Sequence, residues 1–93
     1  MDKSHFTEIC RASYGECRDF WEEEFDPIMP ENFEISGKTS RLSSVEVVTF
    51  IAEIEERLSK EGVEISFIDH FMDIDNSSVN IELMYKILQQ CSA

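Results

Sequence analysis

Leu42-Ser43-Ser44-Val45-Glu46-Val47-Val48-Thr49-Phe50-Ile51-Ala52-Glu53-Ile54-Glu55-Glu56-Arg57-Leu58 decides the fold of this chain. Ser43 and Glu46 stand three residues apart, just ahead of an apolar run. That is the spacing of a capping box, in which the serine hydroxyl accepts from the Glu46 amide and the Glu46 side chain reaches back. Val47, Ile51, Ile54 and Leu58 then recur at helical spacing, widened by Val48 and Phe50. Glu46, Thr49, Glu53 and Glu56 take the opposite face. The pattern predicts a helix that begins at this box and ends near Lys60-Glu61-Gly62, with Gly62 as its C-terminal cap.

Upstream, Phe6, Ile9, Cys10, Tyr14, Cys17, Phe20, Trp21 and Phe25 fall on one helical stripe, which predicts a first helix from about Ser4 to Phe25. Ser4 or Thr7 is the expected cap, and Gly15 is a weak point that can bend or split the helix. Asp26-Pro27 and Met29-Pro30 stop it. A long loop is expected from Asp26 to Arg41, with Phe33 and Ile35 alternating with polar neighbours and pinning it to the core. A loop of this length is often functional. Downstream, Val63 and Ile65 are apolar in a connector, and Ser66-Phe67-Ile68-Asp69 caps a short helix through about Met72. Asp73 to Ser78 reads as a polar turn. A last helix is expected from about Val79 to Gln90, with Ile81, Met84, Tyr85 and Leu88 inward. The expectation is an all-α bundle of three main helices and one short one, with a long first loop.

With 93 residues, 42% of them hydrophobic, the chain has enough apolar residues for one core and too few for two, so a single domain over 1–93 is expected. No run is long and apolar enough for a membrane span, and the first residues lack the apolar stretch of a secretory signal. A cytoplasmic location is the expectation. Twenty acidic residues against eight basic ones give a net charge of -12. Phosphate backbones repel such a chain, which argues against nucleic acid. Partners with basic patches are attracted to it. Cys10, Cys17 and Cys91 show neither a CxxC nor a finger spacing, and reduced, buried thiols are expected. Within one helix, Cys10 and Cys17 are separated by about 10 Å of rise, beyond disulfide reach.

The residues offer little for catalysis. His5 and His70 are the two histidines, and neither stands in a pattern that pairs it with a nucleophile. Asp73-Ile74-Asp75-Asn76 has the opening of a calcium loop. Ser78 replaces the glycine of its sharp turn, however, and Met84 replaces its bidentate glutamate, so no metal site is expected. Glu22-Glu23-Glu24 reads as a solvated helix end. No Gly-rich phosphate loop is present, and the chain is not expected to be an enzyme.

From Thr39 to Leu58 the chain resembles the acyl carrier protein family, whose second helix opens with Asp-Ser-Leu-Asp/Glu and continues through apolar residues to a Glu-Glu pair. The counterparts here are Ser43-Ser44-Val45-Glu46 and Glu55-Glu56, in register without a gap. Ser43 stands in place of the aspartate, keeping its capping role but removing a charge, and Val45 stands in place of the leucine. The resemblance implies an acyl-carrier-like four-helix bundle. It also implies that Ser44 receives 4'-phosphopantetheine from coenzyme A through a separate magnesium-dependent transferase. The arm's thiol would then hold an acyl or aminoacyl group as a thioester while partner enzymes do the chemistry, and the chain itself is expected to be monomeric. Glu46, Thr49, Glu55 and Glu56 match the positions whose carboxylates face basic patches on partners, with Thr49 departing from that pattern; Glu53 joins them as an expected partner contact. Two further readings stand beside the carrier. One is a degenerate, unmodified carrier-like domain acting as an interaction module. The other is an acidic adaptor that docks through the second helix.

Overall fold

The computed structural model describes residues 1–30, 33–37, 40–67, 69 and 79–91, with Cys91 described in its backbone alone. Its elements in chain order are α1 (Lys3–Cys17), a 3-10 turn (Arg18–Phe20), β1 (Glu34–Ser36), α2 (Ser44–Lys60), β2 (Val79–Asn80) and α3 (Ile81–Cys91). The architecture is mostly helical, and α1 packs against both α2 and α3. The core runs between them. Phe6, Cys10 and Tyr14 come from α1, Phe50, Ile51, Ile54 and Leu58 from α2, and Met84 and Leu88 from α3, all 0–2% exposed. Burying each of the larger of these side chains contributes about 1.5–3 kcal/mol.

α2 forms where the capping box places it. Ser43 Oγ accepts from the Glu46 amide at 3.2 Å, and Glu46 Oε1 accepts from the Ser43 amide at 2.8 Å. The far end closes with a Schellman motif: the Gly62 amide donates to Ser59 and the Val63 amide to Leu58. Gly62 sits at φ 84°, a conformation that side chains with a Cβ disfavour. Val63 then packs against the core.

Several expectations need correction. α1 ends at Cys17 and not near Phe25, because the chain tightens into the 3-10 turn and Trp21 becomes extended. The periodic stripe ran on because Trp21 and Phe25 still pack on the core, from a segment that has turned back. Phe20, on the same stripe, is 85% exposed. Asp2, and neither Ser4 nor Thr7, is the N-cap of α1, its carboxylate accepting from the His5 amide. The Thr7 hydroxyl instead donates to the Lys3 carbonyl inside the helix. Gly15 interrupts nothing, since α1 runs through it.

The all-α expectation also missed a small antiparallel sheet, β1 with β2, which pairs Glu34 with Asn80 and Ser36 with Val79. Two residues on β1 advance against one on β2, a bulge that leaves Ile35 fully buried. α3 therefore begins at Ile81, with Asn80 Oδ1 accepting from the Leu83 amide as an N-cap does. Phe33 and Ile35 are both buried, and they hold the described part of the first loop to the core. The expected short helix to Met72 and the Asp73–Ser78 turn fall largely outside the described residues. Phe67 is described and fully buried, its ring 6.2 Å from Phe6.

Candidate functional site

The start of α2 is where fold and chemistry meet. Ser43 is the N-cap, so Ser44 is the first helical residue. The first amides of any helix lack intrahelical acceptors. Here the Glu46 amide is taken by Ser43 Oγ, while the amides of Ser44 and Val45 have no protein acceptor among the described residues. The Ser44 side chain is exposed, and its hydroxyl has no hydrogen-bond partner among them either. The positive end of the helix dipole lies at the same point.

Glu46 does more than complete the capping box. Its Oε2 accepts from the Glu22 amide at 2.9 Å, so the carboxylate joins the start of α2 to the segment after α1. The Ser43 amide, then the Glu22 amide, stabilise the ionised form and hold its pKa below the ordinary 4.5. Arg41 anchors the same segment from the other side. Its Nε donates to Glu23 Oε2 at 3.2 Å, its Nη2 to the Glu24 carbonyl at 2.6 Å, and its guanidinium lies 4.3 Å from the Phe25 ring centroid. Sequence reasoning missed both Glu22 and Arg41. The Glu22–Glu46 bond spans 24 positions and leaves no periodic signal.

The other acidic residues of α2 are unequally available. Glu53 Oε1 accepts from Arg57 Nε at 3.1 Å and Glu56 pairs with Lys60 at 3.9 Å, both one turn along the helix. The exposed Glu56–Lys60 pair contributes little to stability. Glu55 Oε2 accepts from the Phe67 amide. The Thr49 hydroxyl donates to the Val45 carbonyl. Glu56 and Thr49 are exposed, whereas Glu46, Glu53 and Glu55 are half-buried. The outer face also carries Val45, 75% exposed, and Val48, 51% exposed. Val48 was expected to widen the inner stripe, but it faces solvent.

Elsewhere, His5 Nε2 pairs with Glu61 Oε1. The hydrogen bond that Glu61 accepts from the His5 ring, and then the Glu61 charge, raise the His5 pKa above 6.5. Glu61 caps the far end of α2, about 25 Å of helical rise from Ser44. Burial pushes the Cys10 thiol up to about 12 and the Cys17 thiol upward as well, which suppresses thiolate reactivity. His70 and the calcium-like segment lie outside the described residues. No described helix is long and apolar enough to cross a membrane. In comparisons with protein-family models, curated proteins and solved structures, nothing matches the chain.

The donor set at the start of α2 fits a phosphodiester on Ser44. It offers a primary hydroxyl and two amides without partners among the described residues, together with the helix dipole, the elements from which helix N-termini hold phosphate. The nearby Glu46 charge is drawn onto the amides of Ser43 and Glu22.

Proposed function

We propose that the chain is an acyl carrier, bearing 4'-phosphopantetheine on Ser44 and presenting a thioester-linked acyl group to partner enzymes in the cytoplasm. The observation that carries this reading is the position of Ser44: exposed, without a partner among the described residues, and first in a helix whose start is fixed from both sides. The resemblance of residues 39–58 to acyl carrier proteins supports it. When bound, the group supplies a thiol whose thioester is a more reactive acyl donor than an oxygen ester. The chain's own residues position it. The Ser43–Glu46 box holds the first turn, and the amides of Ser44 and Val45 face the negative charge of the phosphodiester. Val45, Val48, Thr49 and Glu56 form the exposed surface next to the arm, where a partner enzyme with a basic rim would meet it. The half-buried carboxylates of Glu46, Glu53 and Glu55 contribute to the negative field that steers the encounter. A tether keeps the acyl group at high effective concentration for each partner.

One observation favours the unmodified adaptor as a second reading. Glu46 already supplies an anion to the helix N-terminus, so this start is stable without a phosphate. Incubation with coenzyme A and a broad-specificity phosphopantetheinyl transferase, followed by intact-mass measurement, separates the two. The carrier reading predicts one added phosphopantetheinyl group in the wild type and none in Ser44→Ala. No addition with any transferase, including that of the native host, supports the adaptor.

A further inference from the structure

Tyr14, Phe25 and Phe33 line an open cleft of about 270 Å³, with Asp26, Glu34 and Arg41 around them. Its volume lies just below the roughly 300–1,000 Å³ of sites for drug-sized ligands, which suits a small molecule. The three rings are set at steep angles to one another. Phe33 stands at 88° to Tyr14 with the centroids 5.1 Å apart, and at 79° to Phe25 with the centroids 6.0 Å apart. The face of an aromatic ring is the negative part of its quadrupole, so rings grouped in this way attract a cation. One of them already holds such a charge, since the Arg41 guanidinium lies 4.3 Å from the Phe25 centroid. The Arg41 charge is balanced by Glu23, 3.2 Å from its Nε.

The two carboxylates of the cleft are not balanced in the same way. Neither Asp26 nor Glu34 has an ion-pair partner among the described residues. Both stand on fixed backbone. The Tyr14 hydroxyl donates to the Asp26 carbonyl at 2.7 Å, and Glu34 pairs with Asn80 in the β1–β2 sheet. Aromatic walls and two uncompensated negative charges therefore share one opening, on a chain whose net charge of -12 draws cations to its surface. The type of cation follows from the walls. A primary ammonium has three N–H donors to satisfy, and ring faces accept them only weakly. A quaternary ammonium has no N–H group. It spreads its charge over methyl groups that pack on rings, and carboxylates at the rim need only face it.

We infer that this cleft binds the trimethylammonium head of a small free molecule, with the methyl groups against the aromatic walls and Asp26 and Glu34 opposite the charge. The site is separate from the modification proposed for Ser44 and needs neither the transferase nor the arm.

The experiment titrates choline chloride into the ¹⁵N-labelled full chain at constant ionic strength. The Phe33 and Glu34 amides shift and saturate, and the choline methyl protons move upfield as they come over the rings. 3,3-Dimethylbutan-1-ol has the shape of choline without its charge, and it binds about tenfold more weakly, a difference of 1.4 kcal/mol. Asp26→Asn and Glu34→Gln each weaken choline binding about threefold, in keeping with partly exposed charges, with unchanged circular dichroism spectra. Amides that choline leaves unmoved overturn the inference, and so does equal binding of the neutral alcohol. Ammonium chloride that reproduces the shifts overturns it as well, by reducing the effect to general attraction of cations. A trimethyllysine peptide that binds more than about tenfold tighter than choline overturns the free ligand and gives the cleft to a protein partner.

Discussion

The two faces of α2 carry similar residue types to opposite ends. On the inner face, Phe50, Ile51, Ile54 and Leu58 are 0–1% exposed. Around the first two turns of the outer face, Val45 is 75% and Val48 51% exposed. The inner residues are explained by the core. Nothing in the described core needs the outer valines, and they flank the serine that the proposed modification would use. One helix thus separates residues that hold the fold from residues free to meet a partner.

Substitutions along α2 put this contrast at risk. Phe50→Ala removes a fully buried ring that lies 5.6 Å from Trp21 and 6.0 Å from Phe33. It should lower the unfolding free energy by about 3–5 kcal/mol in urea titrations. A loss under 1 kcal/mol would mean that the inner face is not the support described. Ser43→Ala should cost about 1 kcal/mol, the usual worth of an N-cap, and shorten protection of the first-turn amides in hydrogen exchange. Full stability with unchanged protection would remove the cap from the account.

A smaller effect depends on pH. The Glu46 pKa is lowered in the folded chain, chiefly by the Ser43 amide and then by the Glu22 amide. Its contribution is therefore present above the unfolded value of 4.5 and lost as pH falls through the depressed folded value. Glu46→Gln should lower stability at neutral pH, where the carboxylate contributes, and flatten the acid limb in that window, so that the two chains converge below it. An acid limb identical to wild type would contradict the double bond to Ser43 and Glu22. The smallest effect belongs to the outer face. Val45→Ser and Val48→Ser should change stability by no more than about 0.5 kcal/mol while slowing productive encounter with a partner enzyme. A loss above 1 kcal/mol from either would collapse the distinction between the two faces.

Much of α2 was legible because its determinants are local. The capping box, the apolar stripe and Gly62 all act within a few residues of where they stand, and the helix obeys each of them. The place of Ser44 at the first turn of α2 was legible for the same reason. α1 was over-extended because periodicity records which residues seek the core, not the path by which they reach it. Trp21 and Phe25 pack inward from a turned segment, at the same sequence spacing a helix would give. The β1–β2 pair is two to three residues long and joins Glu34 to Asn80, a pairing set by the assembled fold and invisible in local pattern. A cleft lined by Tyr14, Phe33 and Arg41 was hidden likewise, since these residues come together only once α1, the first loop and the approach to α2 are packed.

The central claim concerns one oxygen atom, Ser44 Oγ. Trypsin cuts after Arg41 and Arg57, releasing residues 42–57 with Ser43, Ser44 and Thr49 as their only hydroxyl groups. The chain should be treated with coenzyme A and transferase, digested, and this peptide sequenced by fragmentation mass spectrometry. The carrier account predicts a phosphopantetheinyl group on Ser44. A group on Ser43 or Thr49, or a peptide that stays unmodified with every transferase tried, would contradict it.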